Sequence, residues 1–382
     1  MGLAWPAQVR LLHLAIFVLA LLTLCICLSY TSTSQLHTTS SPIRSLMTSD
    51  RMFQVAPNMT AGGTGGSSGE DTGGGGGGGN AQPSVTAQSN NNHSVNSISS
   101  NSSEPDLTRG VAAELIYQSG HVDVSEQVCP ELGGNLKLLI CVTSAPSHQS
   151  ARLAIRETWG HYAMRKDIAI TFMLGSTSNE TINRQLEEEQ TLFGDIIRGK
   201  FVDTYDNLTL KTISLLEWVD NYCPKAAYVL KTDDDMFINV ARLLQFMSKH
   251  KPDQRAIYGR LAQKWKPIRN KKSKYYISPQ QYKPSVFPDF TTGPAYLLPA
   301  QISKELYTAA LNHTYFKLED VFVTGIVANG LKIKRVHASE FLNKKVSFTT
   351  CNLQKAISFH MVKANEQYDL WKRLHDVTKC KT

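Results

Sequence analysis

The most strongly apolar stretch of the chain is residues 11–30, LLHLAIFVLALLTLCICLSY, broken only weakly by His13 and Thr23. Roughly 20 such residues is the length that spans a bilayer core as a helix. Order of a different kind begins after residue 128. Residues 136–143 form a continuous apolar run of buried-strand length, followed by the turn signal Ser144-Ala-Pro-Ser and a helical stretch over 149–159. Residues 168–174 predict a second strand, closed by Gly175. Residues 179–193 have helical composition, with Ile182, Leu186 and Leu192 partly on one face and the acidic cluster Glu187 to Glu189 outside. A third strand over 196–201, with Val202, leads to an amphipathic helix over 209–222 that buries Leu210, Ile213, Leu216, Trp218 and Val219 and stops before Pro224. Residues 226–230 are the fourth strand. This alternation predicts an α/β fold with a mainly parallel sheet, whose ligands bind beyond the carboxyl ends of the strands.

Composition divides the chain into four parts: a short tail (1–10), the apolar run (11–30), a linker (31–128) and a folded domain (129–382). The linker is rich in Ser, Thr, Asn and Gly, including the seven-glycine tract 73–79, and has too little apolar surface to offset the entropy of ordering. It reads as a flexible stem that provides reach. A cleaved signal peptide is the competing reading of 11–30, but its apolar core usually covers only about 7 to 15 residues. The length favours an uncleaved anchor, and Arg10 with the amino terminus keeps the tail cytosolic.

Everything beyond Tyr30 is then expected to be lumenal. Six sequons agree with that placement, at Asn58, Asn92, Asn101, Asn179, Asn207 and Asn312. Of seven cysteines, Cys25 and Cys27 lie in the apolar run; Cys141, inside a strand-like run, is the expected unpaired thiol. Cys129, Cys223, Cys351 and Cys380 allow two disulfides in any of three pairings. The net charge of +8 and the run KWKPIRNKKSK (264–274) raise nucleic acid as a partner. A lumenal domain does not meet the genome, so the run reads as a solvated loop, with diphosphate or an acidic glycan as its remaining ligands.

Candidate chemistry gathers at two acidic elements. Asp233, Asp234 and Asp235 follow directly on the fourth strand, and three adjacent carboxylates are relieved by a hard divalent cation, whose other positions water and a diphosphate fill. An exposed acidic turn looks the same in sequence. A calcium loop fits badly, because counting from Asp233 puts Ile238 and Leu244 where an EF-hand requires Gly and Glu. The second element is Glu319 and Asp320 before an apolar run, either as helix-start carboxylates or as a proton acceptor for an incoming hydroxyl.

Five ordered elements, RLAIRETWG (152–160), FMLG (172–175), DTYDNLTLKT (203–212), KTDDD (231–235) and EDVF (319–322), resemble the β1,3-galactosyltransferase and β1,3-N-acetylglucosaminyltransferase family over residues 129–382. The resemblance implies a GT-A fold, a UDP-sugar donor, Mn2+, inversion at the anomeric carbon and residence in the Golgi membrane as a single-pass type II protein. It implies transfer of galactose from UDP-galactose in β1,3 linkage to a glycan acceptor on protein or lipid. UDP-GlcNAc and UDP-GalNAc are the alternative donors. An inactive lectin-like relative and a metal-dependent nuclease or phosphatase are the readings from other classes.

Carried onto matching positions, Asp233 and Asp235 bind metal and donor, Asp235 as the direct ligand, with Asp234 beside the donor and Asp320 as base. Glu319 is the competitor for that last role. Arg152 and Arg156, four apart and therefore on one helix face, are candidates for donor contact or for salt bridges that fix the first helix. Lys211 is a donor-side candidate. His360 is either a metal nitrogen or a hydrogen-bonded core residue. The sequence departs from the commoner family pattern at Thr324, before Gly325, and at Phe287-Pro-Asp-Phe.

Overall fold

The structure, a computed structural model, describes residues 110–375. The expected tail, membrane anchor and most of the linker lie outside these residues, as do Cys380 and the sequons at Asn58, Asn92 and Asn101. Among the described residues, no helix is long and apolar enough to cross a membrane.

The strands are β1 (His121–Asp123), β2 (Leu138–Thr143), β3 (Ile168–Ser176), β4 (Ile196–Val202), β5 (Tyr228–Asp233), β6 (Met236–Ile238), β7 (Ala256–Ala262), β8 (Phe290–Pro299), β9 (Lys334–His337), β10 (Phe341–Leu342) and β11 (Ser358–His360). Eight of them form one sheet in the order β1-β4-β3-β2-β5-β8-β7-β9, and β10-β11-β6 form a small second sheet. The four strands predicted from sequence, β2 to β5, form its parallel centre. The whole sheet is mixed but mainly parallel in direction: β1 and β8 run against the rest, and β7 and β9, parallel to each other, run with β2 to β5. Strands β7 and β8 follow one another through the loop 263–289, and an antiparallel pair needs no helical crossover.

Burial on both faces explains the continuous apolar run at β2. Leu139 and Cys141 enter one core, under α3 (Leu208–Tyr222) and α5 (Ser303–Leu311), while Leu138, Ile140 and Val142 enter the other. The second core is closed by α1 (Gln149–Arg156), α4 (Val240–Met247) and α6 (Ala364–Leu374). Helix α2 (Glu180–Phe193) starts where Asn179 accepts from the Thr181 and Ile182 amides and ends at Gly194 in the left-handed conformation. Cys141 is a buried free thiol, as its strand position predicts, and Cys129 pairs with Cys223. Cys351 is disulfide-bonded as well.

The folded domain begins earlier than residue 129. Ala113 is wholly buried, Ala112 bridges to Thr314, and β1 adds to the sheet edge beside β4. Glu217 explains why residues 117–120 settle there. Its buried carboxylate accepts from the Tyr117 hydroxyl (2.6 Å), the Gly120 amide (2.9 Å) and the Tyr307 hydroxyl (3.1 Å). The segment's apolar residues show no single face in sequence: Ala113, Tyr117, Val124 and Val128 reach the core, while Val111, Leu115, Ile116 and Val122 stay exposed.

Candidate active site

From β2 the chain runs outward through β3 and β4, then returns as β5 on the other side of β2. Such a reversal opens a crevice at the carboxyl ends of the strands. Here Thr143 and Asp233 face each other in register at those ends, and the Thr143 hydroxyl donates to Asp233 Oδ1 at 2.7 Å. A cavity of about 960 Å³ opens at this point, within the size range of small-molecule sites. Ser144, Asp233, Asp234, Asp235, Glu319, Asp320 and His360 all line it, so the two acidic elements seen in sequence converge.

The three adjacent aspartates diverge to three sets of partners. Asp233 Oδ1 also accepts from Lys231 Nζ at 2.6 Å. Asp234 accepts from the Ser144 hydroxyl at 2.6 Å and lies 2.9 Å from His148 Nδ1. That hydrogen bond holds the His148 pKa above its ordinary value. Only Asp235, 47% exposed, projects toward another candidate ligand: its Oδ2 lies 3.4 Å from Nε2 of His360, itself 20% exposed. The small sheet makes this pair, since His360 on β11 is in register with Met236 on β6. Repulsion among the aspartates is therefore relieved mostly by the chain's own donors, not by a cation spanning all three.

Among the described residues, no group of three or more His, Cys, Asp or Glu is arranged to hold a metal. The pair Asp235 and His360 still suits a small hard cation of the kind that keeps several waters and is bound through one or two protein ligands plus substrate phosphates. Asp233 and Asp234, placed on metal and donor by the sequence, also line the cavity, Asp233 bonded to Thr143 and Lys231 and Asp234 to Ser144 and His148.

Glu319 and Asp320 begin a helix that widens into a π-helical stretch, Val321–Val327. Asp320 is held by two backbone amides, Val321 N to Oδ1 at 2.9 Å and Gly293 N to Oδ2 at 3.0 Å. Burial nevertheless pushes its pKa above the ordinary carboxylate value. Glu319 is more deeply enclosed: Tyr296 donates its hydroxyl to Oε1 at 2.7 Å, and Lys231 Nζ stands 3.7 Å from Oε2. Burial raises the Glu319 pKa too, outweighing Lys231. For Lys231, burial pulls the pKa down, but Asp233 and Glu319 outweigh it and hold the ammonium charged. Thr324 has a structural reason to depart from the family pattern. Its buried hydroxyl accepts from the Thr291 amide at 3.0 Å and donates to the Asp320 carbonyl at 2.6 Å, pinning the π-helix to β8. Phe287 and Phe290 are both buried and pack 6.3 Å apart.

Arg152 and Arg156 lie off the cavity lining. Arg152 is wholly buried and clamps Glu189 through two bonds of 2.8 and 2.7 Å, while its Nη1 donates to the Ala145 carbonyl at 2.6 Å. Arg156 bridges Glu189 and Asp195, with its guanidinium 4.5 Å from the Phe172 ring centre. Their guanidiniums are spent on carboxylates, which corrects the expectation of donor contact: Arg152 positions the Ser144–Pro146 turn instead. Lys211 does line the cavity, with its ammonium committed to the Ser144 carbonyl (2.7 Å) and Asp203 (2.9 Å).

Among the lining residues not proposed as site residues from sequence are His148, Tyr205, Trp265 and Lys274. The last two belong to the basic run read as a solvated loop. Its interleaved aromatics were the available signal. Lys274 Nζ lies 4.9 Å from the Tyr205 ring and 5.0 Å from the Tyr275 ring, so the run lines the cavity mouth while most of its side chains stay exposed, as a solvated loop does.

Residues 150–339 match the galactosyltransferase family model. The human β-1,3-galactosyltransferase 5 is 35% identical over 244 residues, covering 63% of this chain and 78% of the relative. The chain belongs to the galactosyltransferase family. Mouse β-1,3-galactosyltransferase 1 is likewise 35% identical to this galactosyltransferase-family chain, over 61% of it and 72% of the relative. The galactosyltransferase LgtC, solved with donor and acceptor sugar analogues, overlaps 63% of the chain and 98% of its own length at 12% identity and a TM-score of 0.35, too loose a fit to transfer any residue.

Proposed function

We propose that this chain is an inverting hexosyltransferase of GT-A type that moves galactose from UDP-galactose to a glycan hydroxyl in β1,3 linkage. The observation that carries the reading is the meeting of Asp320, a carboxylate of raised pKa held by two amides, with the Asp235 and His360 pair in one cavity. The names of its relatives supply the sugar and the linkage.

In this mechanism Asp320 takes the proton of the acceptor hydroxyl as that oxygen attacks the anomeric carbon from the face opposite UDP. The bond from that carbon to the β-phosphate oxygen breaks, and its electron pair leaves with UDP. One displacement inverts the centre. Gly293 and Val321 hold the Asp320 oxygens on station, while Lys231 and Tyr296 keep the neighbouring Glu319 turned away from the acceptor. Asp235 and His360 would hold the divalent cation, Mn2+ by family resemblance, which supplies charge stabilisation for the departing diphosphate when bound. The proposal includes a Golgi-lumenal domain behind an uncleaved anchor, and protection from protease in sealed vesicles tests that placement.

The test of the reaction is a donor screen on the chain with glycan acceptors, with and without Mn2+, followed by linkage analysis of the product. A β1,3-galactoside formed only with the cation present is the expected result. Preferential use of UDP-GlcNAc would reassign the donor, and hydrolysis with no glycoside formed would remove the transferase reading.

A further inference from the structure

We infer that Trp265 is the platform on which the acceptor sugar stacks, and that the acceptor is a β-linked pyranoside offering a continuous C–H face; this rests on the transfer reaction proposed above. Trp265 lines the cavity and is 52% exposed, whereas Trp159 and Trp218 are wholly buried. An indole left half in water forgoes much of the gain its large apolar surface offers, and a sugar ring laid on it recovers that gain. Galactose and N-acetylglucosamine in β linkage suit such a surface. In both, the axial hydrogens at C1, C3 and C5 of the β anomer share one face free of axial hydroxyls, and the electron-rich indole attracts polarised C–H groups.

The platform is built, not loose. The Trp265 ring meets Phe290 edge to face, with centroids 5.5 Å apart and planes at 86°. Its carbonyl accepts from the Phe287 amide at 2.8 Å. Lys264, just before it, sits in the left-handed region at φ 56°, a conformation that costs a non-glycine residue and persists only where the surroundings impose it. These three features fix the direction in which the indole leaves the loop.

The position assigns the ring to the acceptor side. Phe290, which carries the indole, is the first residue of β8; Thr291, next along, bonds the Thr324 hydroxyl, and Gly293 bonds the carboxylate of Asp320. Platform and proposed base are thus mounted on four consecutive residues of one strand. The Asp235 and His360 pair, which faces the donor in this reading, is mounted separately on the small sheet. A sugar stacked on Trp265 is therefore held in register with the group that must receive its proton.

The experiment is steady-state kinetics of the full chain with UDP-galactose and methyl β-galactoside or methyl β-N-acetylglucosaminide, acceptors with no aromatic aglycone. Trp265→Ala should raise the acceptor KM roughly tenfold, the scale of one aromatic contact, and leave the UDP-galactose KM and acceptor-free donor hydrolysis unchanged. Trp265→Phe should recover most of the loss, and both variants should stay folded, since Trp265 is half exposed and truncation forfeits chiefly the one ring contact to Phe290. An unchanged acceptor KM overturns the inference, as does a rise in donor KM, which would assign the indole to uracil. If the parent chain does not use UDP-galactose at all, the transfer reading fails by itself. Saturation-transfer NMR of the methyl glycosides on parent and Trp265→Ala chains then decides the stacking: a signal lost in the variant supports it, and an equal signal, or none in the parent, overturns it.

Discussion

Arg152 and Glu189 form a doubly hydrogen-bonded ion pair in which the two side chains are 0% and 1% exposed. Burial pushes the Glu189 pKa up, yet Arg152 and Arg156 outweigh it and hold the carboxylate below its ordinary value. Breaking such a pair strands a charge in the core. Arg152→Ala should therefore lower folding stability by about 3–5 kcal/mol. Denaturant titration measures this; a variant of parental stability that has lost UDP affinity would return Arg152 to the donor site.

Asp320→Asn should cut turnover roughly 10²- to 10⁴-fold while leaving donor affinity close to the parent value. The Asn keeps a side-chain acceptor but takes no proton. Glu319→Gln should cost less turnover, because its carboxylate is already engaged by Tyr296 and Lys231. Turnover and UDP-sugar affinity of both variants decide between them; an active Asp320→Asn chain beside an inactive Glu319→Gln chain would exchange the roles.

The pH profile carries the same information in another form. A base acts when deprotonated, and burial raises the Asp320 pKa above the roughly 3.9 of a free Asp. Activity should fall as pH drops through that raised value, so the acid limb of kcat/KM should lie higher than for a free carboxylate. The limb should be absent from the residual rate of Asp320→Asn. A limb that stays in place in the variant would belong to another group.

Chelation should abolish transfer, and Mn2+ should restore it. His360→Ala should raise the Mn2+ concentration required by at least about tenfold, since even outer-shell partners of a metal contribute that much to affinity. Asp235→Ala should be the more severe variant. Activity retained in chelator, with unchanged cation dependence in both variants, would leave Asp235 and His360 as an ordinary surface pair.

A fragment beginning at Cys129 should be less stable than one beginning at Gly110. The shorter fragment lacks β1 and the Tyr117 and Gly120 donors to the buried Glu217 carboxylate. A buried acceptor left short of partners costs about 1–3 kcal/mol. Melting temperature and secreted yield of the two fragments test the boundary, and equal values would restore residue 129 as the start of the domain.

Much of the fold was legible because β2 and β3 are nearly continuous runs buried on both faces, and β4 and β5 open on short apolar stretches, a local signal that survives without tertiary information. The meeting of Asp235 with His360 was legible only through family resemblance, since 124 residues separate them and β11 must pair with β6 to join them. The fate of Asp233 and Asp234 was not legible at all. Lys231 pairs with Asp233 and the Ser144 hydroxyl bonds Asp234, from positions whose direction the sequence does not encode. That the exposed loop at Trp265 also lines the cavity was hidden for a similar reason: a charge run has no period to reveal which way it folds.

The π-helical stretch Val321–Val327 has a geometric consequence for how this segment can change. In a regular helix each residue turns the next by about 100°. A widened turn adds a residue and so shifts the bearing of everything beyond it. Asp320, ahead of the widening, points to the cavity, while Val327 and Ala328, at its far end, point into the core. A uniform α-helix through these residues would satisfy one of those bearings and lose the other. Shortening the stretch by one residue would leave a sound helix whose acid no longer aims where the acceptor lies, so its length is set by aim and not by helical stability.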